Sequence, residues 1–244
     1  MDISEDLDGD GKPDSGSLNV AIMSVQIIEK RILIGTKGCD IYEAVMPTTP
    51  NESHTINRVT WGHFRGELWG LTVHPSRDEF ATCGDDKTIR IWSIRTKEQL
   101  TMRQIPEVAR ALAYSSTGEI IAVGMSNGSA ALLESGTLRV CASWSDSRQA
   151  ITDIKFCPDS KILVLASKDS NIYVYKSSDR KTFKRQAICR GHSSPVMHVD
   201  ISANSQYIIS NSVHDSSLLY WDTKGNQVRN TSALRDIRWA TQTW

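Results

Sequence analysis

No stretch of this chain carries the 3.6-residue apolar spacing of an amphipathic helix, which removes helical bundles and α/β folds from consideration. No apolar run approaches the ~20 residues of a membrane-spanning helix. Residues 1–18 are acidic and polar, so they do not read as a signal peptide. No charge of one sign dominates, because 28 basic residues balance 28 acidic ones. A net charge of zero supplies no long-range field to gather nucleic acid or anionic lipid, and neither partner is expected. Cysteine is scarce: Cys39, Cys83, Cys141, Cys157 and Cys189 form no Cys-x-x-Cys pair and leave an odd count. That argues against a zinc ribbon or a closed disulfide framework and suits a reducing compartment. These absences together predict a soluble cytoplasmic protein. No Gly-x-Ser-x-Gly or comparable catalytic motif is present, so no enzyme activity and no cofactor are expected.

What the chain does have is internal repetition. Gly62-His63 precedes Trp92 as Gly191-His192 precedes Trp221, with 29 residues from His to Trp in both. Alternating apolar pairs open four units at Leu71/Val73, Leu112/Tyr114, Ile154/Phe156 and Val199/Ile201, spaced by 41, 42 and 45 residues. Each pair is followed by turn chemistry: Pro75-Ser76-Arg77-Asp78, Ser116-Thr117-Gly118-Glu119, Pro158-Asp159-Ser160-Lys161 and Ala203-Asn204-Ser205-Gln206. A second apolar run begins at Phe80, Ile121, Leu163 and Ile208, and a third ends at Trp92, Leu133, Tyr175 and Trp221. A fainter copy runs through Met23, Val25, Ile32 to Ile34 and Ile41. Alternation of this kind predicts antiparallel strands in small sheets that must stack to bury both faces.

Four-stranded units of this length, opening on Gly-His and closing near Trp-Asp, resemble the blades of WD40 β-propellers. The resemblance runs from about Asn19 to the end and predicts an all-β fold of about five and a half four-stranded antiparallel blades, preceded by an acidic flexible linker at 1–18. It implies a structural tetrad of His, Ser or Thr, Asp and Trp within a blade. One unit offers His63, Thr82, Asp86 and Trp92; another offers His192, Ser210, Asp215 and Trp221. A His between a hydroxyl and a carboxylate also looks like a hydrolase triad, but recurrence in a second unit suits scaffold better than one active site. Weaker units have Val123, Asn127 and Leu133, or Leu165, Asp169 and Tyr175, at those places. A closed seven-bladed ring needs roughly 300 residues at this period. The missing blades are therefore expected from the rest of a longer chain or from another copy, with Leu234 to Trp244 reaching into the second strand of a further blade.

Three other features invite function. Asp6, Asp8, Asp10 and Asp14 follow a calcium-loop spacing, with Gly11 at the tight turn, but Ser17 stands where the bidentate Glu belongs, and an acidic linker explains the same composition. Lys176, Arg180, Lys181, Lys184, Arg185 and Arg190 face one acid, Asp179, and form a candidate surface for an acidic partner. The cluster otherwise reads as a solvated hairpin between one blade and its neighbour. Trp69 and Trp239, outside the tetrad positions, are expected in the core.

Several segments go beyond generic WD40 units. GHFRGELWGLTVHPS (62–76), RGHSSPVMHVDIS (190–202), SNSVHDSSLLYWD (210–222), ILIGTKGCDIY (32–42) and DIRWATQTW (236–244) resemble signatures of the echinoderm microtubule-associated protein-like family, in its order and spacing. The resemblance implies a tandem atypical pair of fused propellers, this chain covering blades around their junction. It implies a non-catalytic scaffold on tubulin, microtubules or other cytoskeletal proteins, in the cytoplasm and on the cytoskeleton. The hydrophobic motif that opens the family's first propeller and its basic coiled-coil region are not in this sequence. A general WD40 adaptor, such as a ubiquitin-ligase substrate receptor or a trafficking platform, shares the fold and differs in partner.

Overall fold

A computed structural model describes residues 22–36, 41–46, 55–60, 62–63, 66–214 and 218–241. Among them, strands account for nearly all regular structure. Sheet 1 holds β1 (Ile22–Ile28), β2 (Arg31–Thr36), β3 (Ile41–Val45) and β4 (Thr55–Thr60). Sheet 2 holds β5 (Leu68–Val73), β6 (Glu79–Gly84), β7 (Thr88–Ser93) and β8 (Gln99–Gln104). Sheet 3 holds β9 (Ala109–Tyr114), β10 (Ile120–Met125), β11 (Ser129–Glu134) and β12 (Val140–Ser145). Sheet 4 holds β13 (Ile151–Phe156), β14 (Ile162–Ser167), β15 (Asn171–Lys176) and β16 (Lys184–Arg190), and sheet 5 holds β17 (Val196–Ile201), β18 (Tyr207–Ser212) and β19 (Leu218–Asp222). Each sheet is an antiparallel meander in chain order.

Local chemistry explains the meander. In three of the first turns the third residue is left-handed: Gly118 at φ 75°, Ser160 at 56° and Ser205 at 59°. The second turns use a side chain instead. Asp86 Oδ1 accepts the Thr88 N–H at 3.1 Å, Asn127 Oδ1 that of Ser129 at 2.9 Å, and Asp169 Oδ1 that of Asn171 at 3.0 Å. Such Asx turns satisfy a backbone donor that the hairpin would otherwise strand.

Sheets 2 to 5 stack as propeller blades through their innermost strands, β5 on β9, β9 on β13 and β13 on β17. Three apolar seams result. Ala81, Cys83, Ile89 and Ile91 of sheet 2 meet Leu112, Ile121, Val123 and Leu133 of sheet 3. Ala122 and Leu132 of sheet 3 meet Ile154, Leu163, Leu165 and Tyr175 of sheet 4, whose opposite face, Val164, Ile172 and Val174, meets Val199, Ile208 and Trp221. A fully buried Leu or Ile contributes about 1.5–3 kcal/mol relative to exposure, so these seams, rather than any single sheet, hold the array. At the open end the same rows are bare. Leu71 and Val73 are 63% and 58% exposed, whereas their counterparts Leu112 and Tyr114 are 7% and 8% exposed.

The chain's end differs from the expected second strand of a further blade. Thr231–Leu234 form a 3-10 turn, after which Trp239 bridges antiparallel to Ser202 and Ala240 N–H bonds Ile201 O at 2.8 Å. The tail thus lies along the end of β17, where Thr241 caps the buried Asp200 carboxylate through N–H and hydroxyl at 3.1 and 2.8 Å. Sheet 5 has three full strands; a bridge from Trp221 to Gln227 marks its outer edge in place of a fourth.

Candidate partner-binding surface

Alternating chain direction gives the stack two ends. The entry loops and second turns share one end, and the first and third turns share the other. At the entry-loop end of sheet 2, His63 Nε2 lies 2.7 Å from Thr82 Oγ1 and Nδ1 lies 2.9 Å from Asp86 Oδ2, while Trp92 Nε1–H donates to the same Thr82 oxygen at 2.7 Å. Because Thr82 takes the indole proton, its own O–H points to His63, and the imidazole N–H then goes to Asp86. Thr82 is buried and its oxygen is occupied on both sides, so the group is closed to an acyl carbon despite its triad-like order.

In sheet 5, His192 Nε2 lies 2.8 Å from Ser210 Oγ, which accepts Trp221 Nε1–H at 2.9 Å. Ring tilts agree to a degree, 52° for His63 on Trp92 and 51° for His192 on Trp221. Asp215 lies outside the described residues, as do Asp6, Asp8, Asp10 and Asp14. Among the described residues no cluster of three or more His, Cys, Asp or Glu side chains could hold a metal ion.

Arg90 joins the sheet 2 network and is not evident from the motif. Its Nη2 meets Asp86 Oδ2 at 2.9 Å and its Nε–H donates to Thr88 Oγ1 at 3.0 Å, with the guanidinium almost wholly buried. The available signal was an Arg set between Ile89 and Ile91, facing opposite to both. Burial pushes the Asp86 carboxyl up, but the His63 and Thr88 hydrogen bonds and the Arg90 charge outweigh it and hold the group below its ordinary value.

Sheet 4 reaches the same closure with other atoms. Tyr175, at the Trp position, donates its hydroxyl to Asp146 at 2.6 Å, while Ser147 and Tyr173 donate to Asp169 at 2.8 and 2.5 Å. Arg185 binds Asp146 at 2.5 Å. In sheet 3, Val123 and Leu133 are fully buried in the seam, and Asn127 keeps its turn role alone.

At the opposite end the basic cluster divides. It belongs to the β15–β16 hairpin within sheet 4, not to a connection between blades. Arg190 stands at the far end of β16, about 20 Å along the strand from Lys184, and Arg185 is tied to Asp146. Lys176, Arg180, Lys181 and Lys184 remain together, exposed, and none has an acidic partner within 4 Å among the described residues. Lys176 and Lys184 sit directly opposite each other in the ladder, an unfavourable like-charge pair. The turn is nevertheless rigidly built. Asp179 accepts the N–H groups of Lys181 and Thr182 at 2.9 and 2.7 Å and the Ser177 hydroxyl at 2.8 Å, which hold its carboxyl well below the usual range. Phe183 packs edge-on against Phe156.

Beside the hairpin opens a cleft of about 620 Å³ lined by His74, Arg77, Glu134, Arg139, Cys141 and Lys181, among others. Arg77 and Arg139 are lining cations that the local charge count along the chain did not group with Lys181, because the fold brings them from sheets 2 and 3. His74 is a seam residue: its Nδ1 accepts the Ser76 and Arg77 N–H groups at 3.1 and 2.9 Å, and Nε2–H donates to Gly118 O at 3.2 Å. Burial, then the Arg77 charge, hold its imidazole below the ordinary value.

Two tryptophan expectations are corrected or refined. Trp69 is not core: it is 44% exposed, donates Nε1–H to Asp85 at 2.7 Å and carries the Arg110 guanidinium 3.9 Å above its ring. A bulge at β5 turns it outward. Trp239 is half-buried against Tyr220. Cys83, Cys141, Cys157 and Cys189 are free, and burial pushes the Cys83 and Cys189 thiols up to about 12. Among the described residues no helix is long and apolar enough to cross a membrane.

Stacked four-stranded blades, sealed polar ties and an ordered charged turn define a β-propeller of the WD40 type. Residues 68–244 match the family described as "Echinoderm microtubule-associated protein second beta-propeller", and the match begins at the first residue of β5. The human protein named "Echinoderm microtubule-associated protein-like 2" is 36% identical over 184 residues, covering 75% of this chain and 28% of the relative. Human "Echinoderm microtubule-associated protein-like 1" is 33% identical over 214 residues (87% and 25%), and human "Echinoderm microtubule-associated protein-like 3" is 34% identical over 188 residues (76% and 21%). The chain belongs to the echinoderm microtubule-associated protein-like family and spans about a quarter of the length of these relatives.

Proposed function

We propose that this chain is the propeller part of a non-catalytic, microtubule-associated scaffold that works in the cytoplasm on the cytoskeleton. Membership of a family whose relatives are named as microtubule-associated carries the reading. The hairpin supplies a contact suited to an acidic protein surface such as tubulin, because Lys176, Arg180, Lys181 and Lys184 gather, exposed, around an ordered turn with no acidic group within 4 Å of their charged ends among the described residues. Sheet 1 precedes the matched propeller and belongs, in this reading, to its tandem partner, with the remaining blades supplied by further chain. Residues 1–18 serve as a linker, and the His63 and His192 networks are scaffold.

Co-sedimentation with stabilised microtubules over a salt series tests the reading. Salt-sensitive pelleting, weakened at least tenfold when Lys176, Arg180, Lys181 and Lys184 are all changed to Gln, is the expected result; a tenfold loss corresponds to about 1.4 kcal/mol. No pelleting, either of this chain or of a chain extended to complete the propellers, would shift the function to a general WD40 adaptor.

A further inference from the structure

The loop between β15 and β16, residues 177–183, carries three hydroxyls in different settings. Ser177 is buried and donates to Asp179 at 2.8 Å, while Ser178 is exposed and precedes that acid directly. Thr182 is exposed as well, and its hydroxyl donates to Asp179 Oδ2 at 3.0 Å. Of the three, Thr182 has cations on both sides: Arg180 and Lys181 come just before it, and Lys184 follows two residues on. Thr96 has a similar local sequence, between Arg95 and Lys97, but Arg95 is already held by Asp78 at 2.9 Å. What sets Thr182 apart is that its neighbouring cations Arg180, Lys181 and Lys184 have no acidic group within 4 Å of their charged ends among the described residues.

A phosphate on the Thr182 oxygen acts directly on this imbalance. Lys176, Arg180, Lys181 and Lys184 together with Asp179 sum to +3, and a phosphate of about −2 lowers that to about +1. The modified oxygen has no proton left to give Asp179, so an attractive contact becomes a repulsion between two anions. The phosphate therefore turns toward Arg180, Lys181 and Lys184, whose N–H groups donate charge-assisted hydrogen bonds to its oxygens. It becomes the internal counter-ion that the hairpin lacks. The remaining bonds to Asp179, from the Lys181 and Thr182 N–H groups and the Ser177 hydroxyl, and the Phe183–Phe156 contact keep the hairpin folded.

We propose that Thr182 is a phosphorylation site for a protein kinase that reads cations on both sides of its target hydroxyl, and that the phosphate releases the hairpin from its acidic partner. Kinases select substrates in part by such charge patterns. In the transfer, Thr182 Oγ1 attacks the γ-phosphorus of ATP and the new O–P bond forms as the bond to the bridging oxygen of ADP breaks; the hydroxyl proton passes to the kinase's base. This switch rests on the reading of the hairpin as the contact for an acidic surface, and it supplies that contact with a means of release.

The full 244-residue chain is treated with MgATP and the catalytic fragment of protein kinase C, and the modified residue is mapped by mass spectrometry. Phosphate is expected on Thr182, with that incorporation lost in Thr182→Ala and kept in Ser178→Ala; a melting temperature unchanged from the parent certifies the fold of each. The modified chain is expected to bind an acetylated, amidated octamer of glutamate at least about tenfold more weakly than the unmodified chain, and to pellet less with microtubules. Kinase-treated Thr182→Ala is expected to keep the unmodified affinity. Phosphate elsewhere with none on Thr182, or a modified chain that binds the octamer as tightly as before, overturns the switch and leaves the hairpin reading intact. An unmodified chain that binds neither the octamer nor microtubules overturns the hairpin reading and the switch with it.

Discussion

Sheet 2 ties its entry loop down with an imidazole, His63, and buries an ion pair beneath it. Sheet 4 ties its own with a carboxylate, Asp146, that faces a tyrosine hydroxyl inside and Arg185 at the surface. Both loops end fixed to the third strand of their sheet, one through Thr82 to Trp92 and the other directly to Tyr175. What the fold needs is a satisfied polar tie from loop to sheet; the atoms that make it are negotiable. The two ties differ in how much they stand to lose. Asp86 and Arg90 are about equally hidden, at 4% and 5% side-chain exposure, whereas Asp146 and Arg185 remain at 27% and 44%.

The largest expected effect is therefore Asp86→Ala. It strands the buried Arg90 charge and removes the His63 partner, for a loss of about 3–5 kcal/mol in denaturant unfolding. Asp146→Ala leaves Arg185 free to turn to water and should cost about 1–3 kcal/mol, chiefly from the Tyr175 hydroxyl. Equal losses for the two would break the comparison. Tyr175→Phe sharpens it, since removing the hydroxyl while keeping the ring should cost about 1 kcal/mol.

The smallest effect is a pH dependence at the seam. The His74 imidazole is depressed in the folded protein, so its contribution is fully present above its ordinary value of 6.5 and fades as pH falls below it toward the folded value. Melting temperature should drop between about pH 7.5 and 5.5, and His74→Gln should flatten that drop. The depressed Asp86 carboxyl acts lower, its contribution being present above about 3.8 and lost on further acidification, so Asp86→Asn should alter the acid limb and leave the His74 window alone.

Strand placement was largely legible, because apolar alternation and turn residues recur at a fixed period and both are local. The sheet 2 group was legible too, since His63, Thr82, Asp86 and Trp92 stand at motif spacing. Arg90 and the Asp146–Tyr175 tie were not, because an Arg or a Tyr in a strand has many uses and only three-dimensional neighbours select one. Trp69 looked like core because aromatics at strand starts usually are; a one-residue bulge, invisible in composition, turned it out. The tail misled for a related reason. Its apolar spacing continues the repeat, yet Ser202 and Ile201 offered backbone partners that drew it alongside β17. Charge counting along the chain joined Arg190 to Lys184, which the extended strand then separated, and it could not join Lys181 to Arg77 and Arg139, which belong to other sheets.

The hydrogen bond from His74 to the Gly118 carbonyl reaches across a seam into the first turn of the next blade. Gly118 has φ 75°, and a Cβ there would run into the His74 ring. Serine holds the same left-handed place at positions 160 and 205, so the turn itself tolerates a side chain. The restriction to glycine is imposed from 44 residues away. Positions 74 and 118 therefore form one heritable unit: a blade carrying this His can be grafted or recombined only beside a turn that carries this Gly, and the repeats, though alike in design, are not interchangeable parts.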